Sequence, residues 1–183
     1  IERYGVHLTL RSKLVAVDGP RRTATFEQET EAGKIRIERD YDMLHVVPPQ
    51  VAPEAVRNIA LAGRDGFVAV DPVTLRHTTF TDVFALGDVA GTSNAKTAAA
   101  VRKQAPVVAV NVLATLDGKA PPAVYDGYGA CPLTVERGRI VLAEFVYGGR
   151  PMPTFPKLIQ NNLEPSRFAW FLKGRVMPPL YWD

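Results

Sequence analysis

Cysteine is nearly absent from this chain: Cys131 is the single one among 183 residues. No intrachain disulfide can staple the fold, and the redox compartment cannot be inferred from bridges. Long apolar runs are missing as well. Nothing approaches the roughly 18 consecutive apolar residues that span a bilayer, and no signal peptide opens the chain, so the sequence predicts a protein that is soluble or lies on a membrane. The three histidines, His7, His45 and His77, share no metal-ligand spacing with other histidines, cysteines or acids, so no metal site is expected and each reads as structural or surface. No clustered basic stripe or nucleic-acid motif is present, and a formal net charge of +3 permits only a mild attraction to an anionic surface. No G-x-G-x-x-G follows a strand, which removes the usual cradle for a dinucleotide pyrophosphate. Internal repeats and low-complexity tracts are also lacking. What remains, 46% hydrophobic and 22% charged residues, is the composition of a globular chain able to bury a core.

The most informative stretch is Thr78 to Ala90, TTFTDVFALGDVA, with the SNAKTAAA that begins at Ser93. Val83 to Leu86 is an apolar run of strand length, which predicts a strand buried on both faces. Gly87-Asp88 ends it with a residue that permits a tight turn and a residue that accepts hydrogen bonds. An ordinary Gly-Asp turn would read the same way. An acid at the carboxyl end of a buried strand also stands where open α/β sheets bind ligands. Ala95 to Leu116 reads as a helix whose first turn carries Lys96 and Thr97 followed by Ala98, Ala99 and Ala100, and small side chains there leave the first backbone N–H groups open toward a ligand. A lysine is unfavourable beside the positive end of a helix dipole, so its place there is more easily explained by a bound anion than by simple solvation. Pro106 predicts a kink or break near Arg102 to Pro106.

The remaining segments give an α/β chain with β-rich portions. Val6 to Leu10 and Leu14 to Val17 collect β-formers, Asp18-Gly19-Pro20 is a turn, and Thr23 to Phe26 and Ile35 to Ile37 continue a meander. Tyr41 to Val47 reads as an apolar strand stopped by Pro48-Pro49. Pro53 to Ala60 reads as a short helix with Pro53 near its first turn and Glu54 favourable at its start, and Phe67 to Val70 as a short strand. Cys131, before Pro132 and Leu133, is by residue type a small buried hydrophobe. From Thr154 the tail mixes Phe155, Phe168, Trp170, Phe171 and Leu180 with Lys173 and Arg175. That mixture suits either an interfacial element too short to span a bilayer or a helix packed on the core.

Several of these runs carry a family resemblance. TTFTDVFALGDVA resembles the second flavin-contacting motif of flavoproteins with two dinucleotide-binding domains. SNAKTAAAV, YDGYGACPL at Tyr125 to Leu133 and IVLAEF at Ile140 to Phe145 narrow the resemblance to the sulfide:quinone oxidoreductases. MLHVVPP at Met43 to Pro49, GFVAVDPVTLRH at Gly66 to His77 and PPLYW near the end extend it over nearly the whole chain.

The resemblance implies the C-terminal part of an FAD/NAD(P)-binding Rossmann-like flavoprotein. Residues 1–47 would end a pyridine-nucleotide-like domain, 48–118 would return to the FAD domain, and 119–183 would form a redox-cysteine and quinone- or membrane-facing segment. It further implies that Gly87 and Asp88 hold the ribityl chain of FAD, and that Lys96, Thr97, Ala98 and the Ala99 amide serve the flavin edge that becomes negative on reduction. Cys131 would be one of two redox cysteines, taking sulfide sulfur as a persulfide, with its partner outside this chain. Phe155, Phe168 and Phe171 would face a membrane quinone. The expected setting is the surface of a respiratory membrane of a bacterial cytoplasmic kind, with a homo-oligomer left open and no nucleic acid involved. A type II NADH:quinone dehydrogenase shares the Gly-Asp motif and quinone chemistry but needs no cysteine at the position of Cys131. A flavin-binding module without catalysis would keep the motif alone.

Overall fold

The computed structural model describes residues 4–156, 161 and 163–182. The chain divides into two units, Ile1–Pro49 and Gln50–Asp183. In the first, β1 (Ser12–Asp18), β2 (Thr23–Thr30) and β3 (Gly33–Asp40) form an antiparallel meander in sequence order. The expected turn closes β1 onto β2: Asp18 Oδ1 accepts from Arg21 N at 3.0 Å, and Gly19 O accepts from Arg22 N at 3.1 Å. β1 changes register between Leu14 and Ala16, a bulge at Val15. Ala24 is the fully buried hydrophobic residue of this unit among those described, because three strands alone cover neither face of a sheet.

Two expected strands of this unit are not strands. Val6 to Leu10 and Tyr41 to Val47 lack a partner ladder among the described residues, and Met43 and Val47 are 85% and 81% exposed. β-propensity measures packing against neighbours as much as backbone preference, so β-formers without a partner stay irregular. His45 is exposed, and His7 lines an open cleft with Thr9, Ser12, Phe26, Ile37 and Arg39.

The second unit opens with α1 (Glu54–Arg57), which has Pro53 at its cap and Glu54 in its first turn as expected but stops at Asn58, short of the Ala60 that the sequence predicts. From there to Ala90 the chain is woven by single residue pairs: Val68 with Ala62 and Ala90, Val70 with His77, and Arg76 with Phe84. Phe67 to Val70 and Val83 to Leu86 are therefore extended segments touching neighbours at isolated points, not the continuous strands expected. Turns that recur every few residues are the cause. Asp71 Oδ1 accepts from Val73 N, Thr74 N and Thr74 Oγ1 at 2.7 to 3.1 Å, and Leu75 adopts a left-handed φ of 60°. Those hydrogen bonds, the Thr74 amide foremost, hold the Asp71 carboxyl below its usual range despite partial burial. Val68, Val70, Ala85 and Ala90 form the local core with Val56, Leu61 and Val89 around them, while Val83 and Leu86 are only half-buried.

His77 belongs to this weave and is structural. Its Nδ1 accepts from the amides of Thr79 and Phe80, each at 2.9 Å, so the proton sits on Nε2, which faces Leu61 O at 3.1 Å.

α2 (Ala98–Leu116) begins three residues later than expected, because Thr97 caps it: its Oγ1 accepts from Ala100 N at 3.2 Å. Lys96 thus lies outside the helix. α2 runs through Pro106 without the break considered above. A proline deletes one ladder bond, and packing on either side of it holds the remaining turns.

β4 (Gly129–Glu136), β5 (Arg139–Val146) and the short β6 (Arg150–Pro151) form the second antiparallel sheet. β5 alternates strictly, with Ile140, Leu142, Glu144 and Val146 buried and their neighbours half-buried. The tail is helical: α3 (Arg167–Phe171), a wide turn over Leu172–Val176, and α4 (Met177–Trp182). Ser166 caps α3 through Ala169 N at 3.2 Å, and Ala169 packs with Ile140, Leu142 and Phe155. Among the described residues no helix is long and apolar enough to cross a membrane.

Candidate functional site

Gly87–Val89 forms one 3-10 turn directly before the SNAKT segment. Gly87 has a φ of 70°, and a Cβ there would stand 3.3 Å from Val101 of α2, so glycine lets the turn lie against the helix. Its N–H donates to Gln104 Oε1 at 2.8 Å inside the molecule, while Asp88 next to it is exposed. The turn is thus anchored through its backbone, leaving the carboxylate outward as an acceptor.

Lys96 folds back over the same turn. Its ammonium donates to Ala90 O and lies 4.4 Å from the centre of the Phe67 ring. Burial lowers its pKa, with Asp88 and then Asp65 acting the other way. The charge is therefore committed to a carbonyl, a ring and a nearby acid, where the sequence reading had a lysine at an open helix start. Of the amides named there, Thr97 N donates to Ala95 O at 3.0 Å and Ala100 N is taken by the cap; those of Ala98 and Ala99 open the helix. Two side-chain oxygens in this loop, Thr92 Oγ1 and Asn94 Oδ1, are buried without a hydrogen-bond partner. Buried polar atoms are rarely left so, which fits a loop built around a hydroxyl-bearing ligand.

Cys131 stands on β4 opposite Ala143 as a free, half-buried thiol. Alternation puts it on the half-open face of the hairpin with Gly129, Ala143 and Phe145, away from the face of Glu144. A Cβ on Gly129 would lie 3.1 Å from the Phe145 ring and 3.7 Å from Ala95 O. The strand carrying the cysteine therefore starts against the SNAKT segment, with Cys131 two residues further along the same face, about 7 Å on. Gly87, Asp88, Lys96, Thr97 and Ala98 are brought together, and the Cys131 strand joins them at its Gly129 end.

The three tail aromatics do not share one role in packing. Phe155 is half-buried against the Ile140, Leu142 and Ala169 cluster and meets Phe168 edge-on at 5.6 Å, whereas Phe171 is 53% exposed. Lys173 reaches back to β4, donating to Pro132 O at 3.1 Å and Thr134 Oγ1 at 3.0 Å.

Sequence reasoning missed the polar interior that supports these residues. Gln104 and Asn111 are fully buried on α2. Asn111 donates to Thr74 O and Ala123 O, both at 2.9 Å, and accepts from Ala123 N at 2.8 Å. Glu144 accepts from Tyr128 Oη at 2.7 Å, from Thr154 N at 2.9 Å and from Thr154 Oγ1. Burial and then the Glu144 contact push the Tyr128 hydroxyl up to about 12, and burial likewise raises that of Tyr125. The signal in the sequence was slight: two polar side chains seven apart in an apolar helix, and a single acid inside the otherwise apolar run Ile140 to Val146.

No family profile matches the chain. Curated relatives do. It is 37% identical over 180 residues to the mitochondrial sulfide:quinone oxidoreductase of Schizosaccharomyces pombe, covering 97% of this chain and 39% of that protein. The corresponding protein of Dictyostelium discoideum is 38% identical, covering 98% of this chain and 38% of its own length, and that of Mus musculus 34% identical, covering 100% and 40%. The resemblance read from the sequence thus holds over nearly the whole chain, which spans about two fifths of the length of these relatives. Among solved structures, a chain of the Tetrahymena thermophila mitochondrial ATP synthase F1Fo assembly superposes with a TM-score of 0.75 at 29% identity, over 95% of this chain and 42% of that one.

Proposed function

We infer that this chain, homologous along nearly its whole length to sulfide:quinone oxidoreductases, is the C-terminal portion of such an enzyme: one that binds FAD, oxidises sulfide and delivers two electrons to a membrane quinone. The observation that carries the reading is the meeting of the SNAKT segment with the strand that holds the chain's single cysteine, in a chain with these relatives. The Rossmann-like fold of the whole, and the assignment of residues 1–47, 48–118 and 119–183 to its successive parts, belong to the same reading.

The residues present fit a flavin nucleotide. Asp88 offers an outward carboxylate for ribityl hydroxyls, and the orphaned oxygens of Thr92 and Asn94 are further acceptors. The amides of Ala98 and Ala99 at the start of α2, with the Lys96 ammonium nearby, favour negative charge on a ligand. When bound, FAD supplies the two-electron chemistry that links sulfide to quinone. Cys131 would be the sulfur that an incoming hydrosulfide attacks and that then carries it as a persulfide, and it is exposed enough on its face to meet a small anion. The aromatic helical tail, with Phe168, Phe171, Leu180 and Trp182 at least partly exposed and Lys173 and Arg175 among them, suits contact with a respiratory membrane surface and its quinone. Phe155 takes part only through Phe168.

The test is quinone reduction by the complete-length protein with sulfide and with NADH as donors. Sulfide-driven turnover is expected. NADH-driven turnover without it would assign the chain to the type II dehydrogenases, and turnover with neither would leave a binding module. Asp88→Ala in the same protein is expected to lower flavin occupancy, since a hydrogen bond to a charged acceptor is worth about 1.5–3 kcal/mol. Flavin absorbance per polypeptide after gel filtration measures it, and unchanged occupancy would remove Asp88 from the site.

A further inference from the structure

Glu144 is buried on the inward face of β5, two residues along from Leu142 on the same face. The pairing of β5 with β6 ends where Met152 N donates to Glu144 O at 3.0 Å, and Pro153, next in the chain, has no N–H to continue it. The following amide, that of Thr154, goes instead to the Glu144 side chain, donating to Oε2 at 2.9 Å, while Thr154 Oγ1 donates to Oε1. Oε1 also accepts from Tyr128 Oη at 2.7 Å, which fixes the carboxylate from the side of β4. One buried side chain therefore holds Thr154 at two atoms, although Thr154 itself is exposed. A hold at two atoms sets the direction in which the chain leaves toward Phe155. That ring fills the cluster of Ile140, Leu142 and Ala169 and meets Phe168 edge-on at 5.6 Å.

We propose that Glu144 is a positioning residue for the quinone end of the reaction: its side chain fastens Thr154 to the β4–β5 hairpin and so seats Phe155, on which α3 rests with Phe168 and Phe171. An apolar residue at this inward position would avoid the cost of burying a carboxyl group, and that cost is offset here by donors converging from Tyr128 and Thr154. The rest of the docking is apolar packing and the Ile140–Ser166 backbone pair, in which Ser166 N donates to Ile140 O at 2.9 Å. Neither of these touches the chain between Met152 and Phe155. The bearing on quinone rests on the function proposed above, whereas the clamp rests on its hydrogen bonds.

The test is sulfide-driven quinone reduction by variants of the complete-length, flavin-loaded protein, compared at equal flavin content. Glu144→Leu removes the side-chain acceptors and is expected to raise the quinone KM about tenfold, the factor by which loss of a hydrogen bond to a charged group shifts a local equilibrium, with kcat and the sulfide KM within about twofold. Glu144→Gln is expected to restore the quinone KM, because its amide oxygen can accept from Thr154 N while its NH2 group donates to the two hydroxyls, which can turn to accept. Thr154→Val removes one of the two holds at an exposed residue, and it is expected to raise the quinone KM about threefold even if Glu144→Leu folds poorly. Asn111→Leu is the control: it removes another buried side chain, one that ties Thr74 and Ala123, and is expected to lower the unfolding midpoint with the quinone KM unchanged. Glu144→Gln as impaired as Glu144→Leu would overturn the proposal, since the charge or a proton would then matter rather than the hold on Thr154. An unchanged quinone KM in Thr154→Val would also overturn it, as would a rise in Asn111→Leu matching that in Glu144→Leu. Hydrogen exchange of the α3 amides in the same proteins needs no quinone: Glu144→Leu is expected to speed it about tenfold and Glu144→Gln to leave it unchanged. That acceleration in a protein that reduces no quinone with sulfide would keep the clamp and remove its quinone role, and no acceleration would overturn the clamp whatever the turnover.

Discussion

Cys131→Ser in the complete-length protein is expected to abolish sulfide-dependent quinone reduction while leaving bound flavin in place. Serine is nearly isosteric, and Cys131 sits on a half-open strand face with small neighbours, Gly129 and Ala143, so the fold should accept the change. The chemistry should not. In the proposed step, hydrosulfide attacks a disulfide sulfur; one S–S bond breaks as another forms, leaving a persulfide on one cysteine and a thiolate on the other. A serine hydroxyl is not appreciably ionised near neutral pH and forms neither bond, so the step is lost rather than slowed. Assaying sulfide and NADH as donors at equal flavin content separates the outcomes. Full sulfide activity in the variant would refute the role assigned to Cys131, and unchanged NADH-driven activity would mark a dehydrogenase.

Gly127→Ala is expected to be the most destabilising single methyl in the chain's second unit, at about 2–4 kcal/mol from overpacking together with left-handed strain. Gly127 has a φ of 83°, and an added Cβ would fall 2.3 Å from Tyr147 Cγ and 2.5 Å from both adjacent ring carbons. The ring cannot easily withdraw. Tyr147 Oη donates to Pro72 O at 2.8 Å, and its ring meets Tyr125 edge-on at 5.7 Å. Burial and the nearby acids push this hydroxyl up to about 12, so it keeps its proton and that bond through neutral pH. Gly138→Ala separates the two contributions, because Gly138 has a φ of 84° with open space around it. It is expected to cost only the backbone term, about 1 kcal/mol. Urea midpoints of the two variants give the difference, and equal midpoints would mean that Tyr147 yields.

Several parts of this protein were decided locally. Asp18-Gly19-Pro20 closes the first hairpin because its residues make the turn from their own side chains and backbone. Pro53-Glu54 starts α1 for a similar reason, and the small residues after Thr97 start α2 once a hydroxyl is available to cap it. The motifs that carry the family resemblance are also local strings.

Tertiary structure decided which extended segments became strands and what their faces meet. Val6 to Leu10 and Tyr41 to Val47 have the composition of strands and lack partners, whereas Ser12 to Asp18, no richer in β-formers, pairs with β2. Pairing is a property of two segments, and one segment's sequence cannot report it. The same holds for the polar interior. Gln104 and Glu144 lie inward, and whether such groups find partners depends on residues brought from elsewhere: Gly87 for one, Tyr128 and Thr154 for the other. The closeness of the SNAKT segment to the Cys131 strand is likewise set by packing, since it rests on a glycine 34 positions after Ala95 lying close enough to touch it.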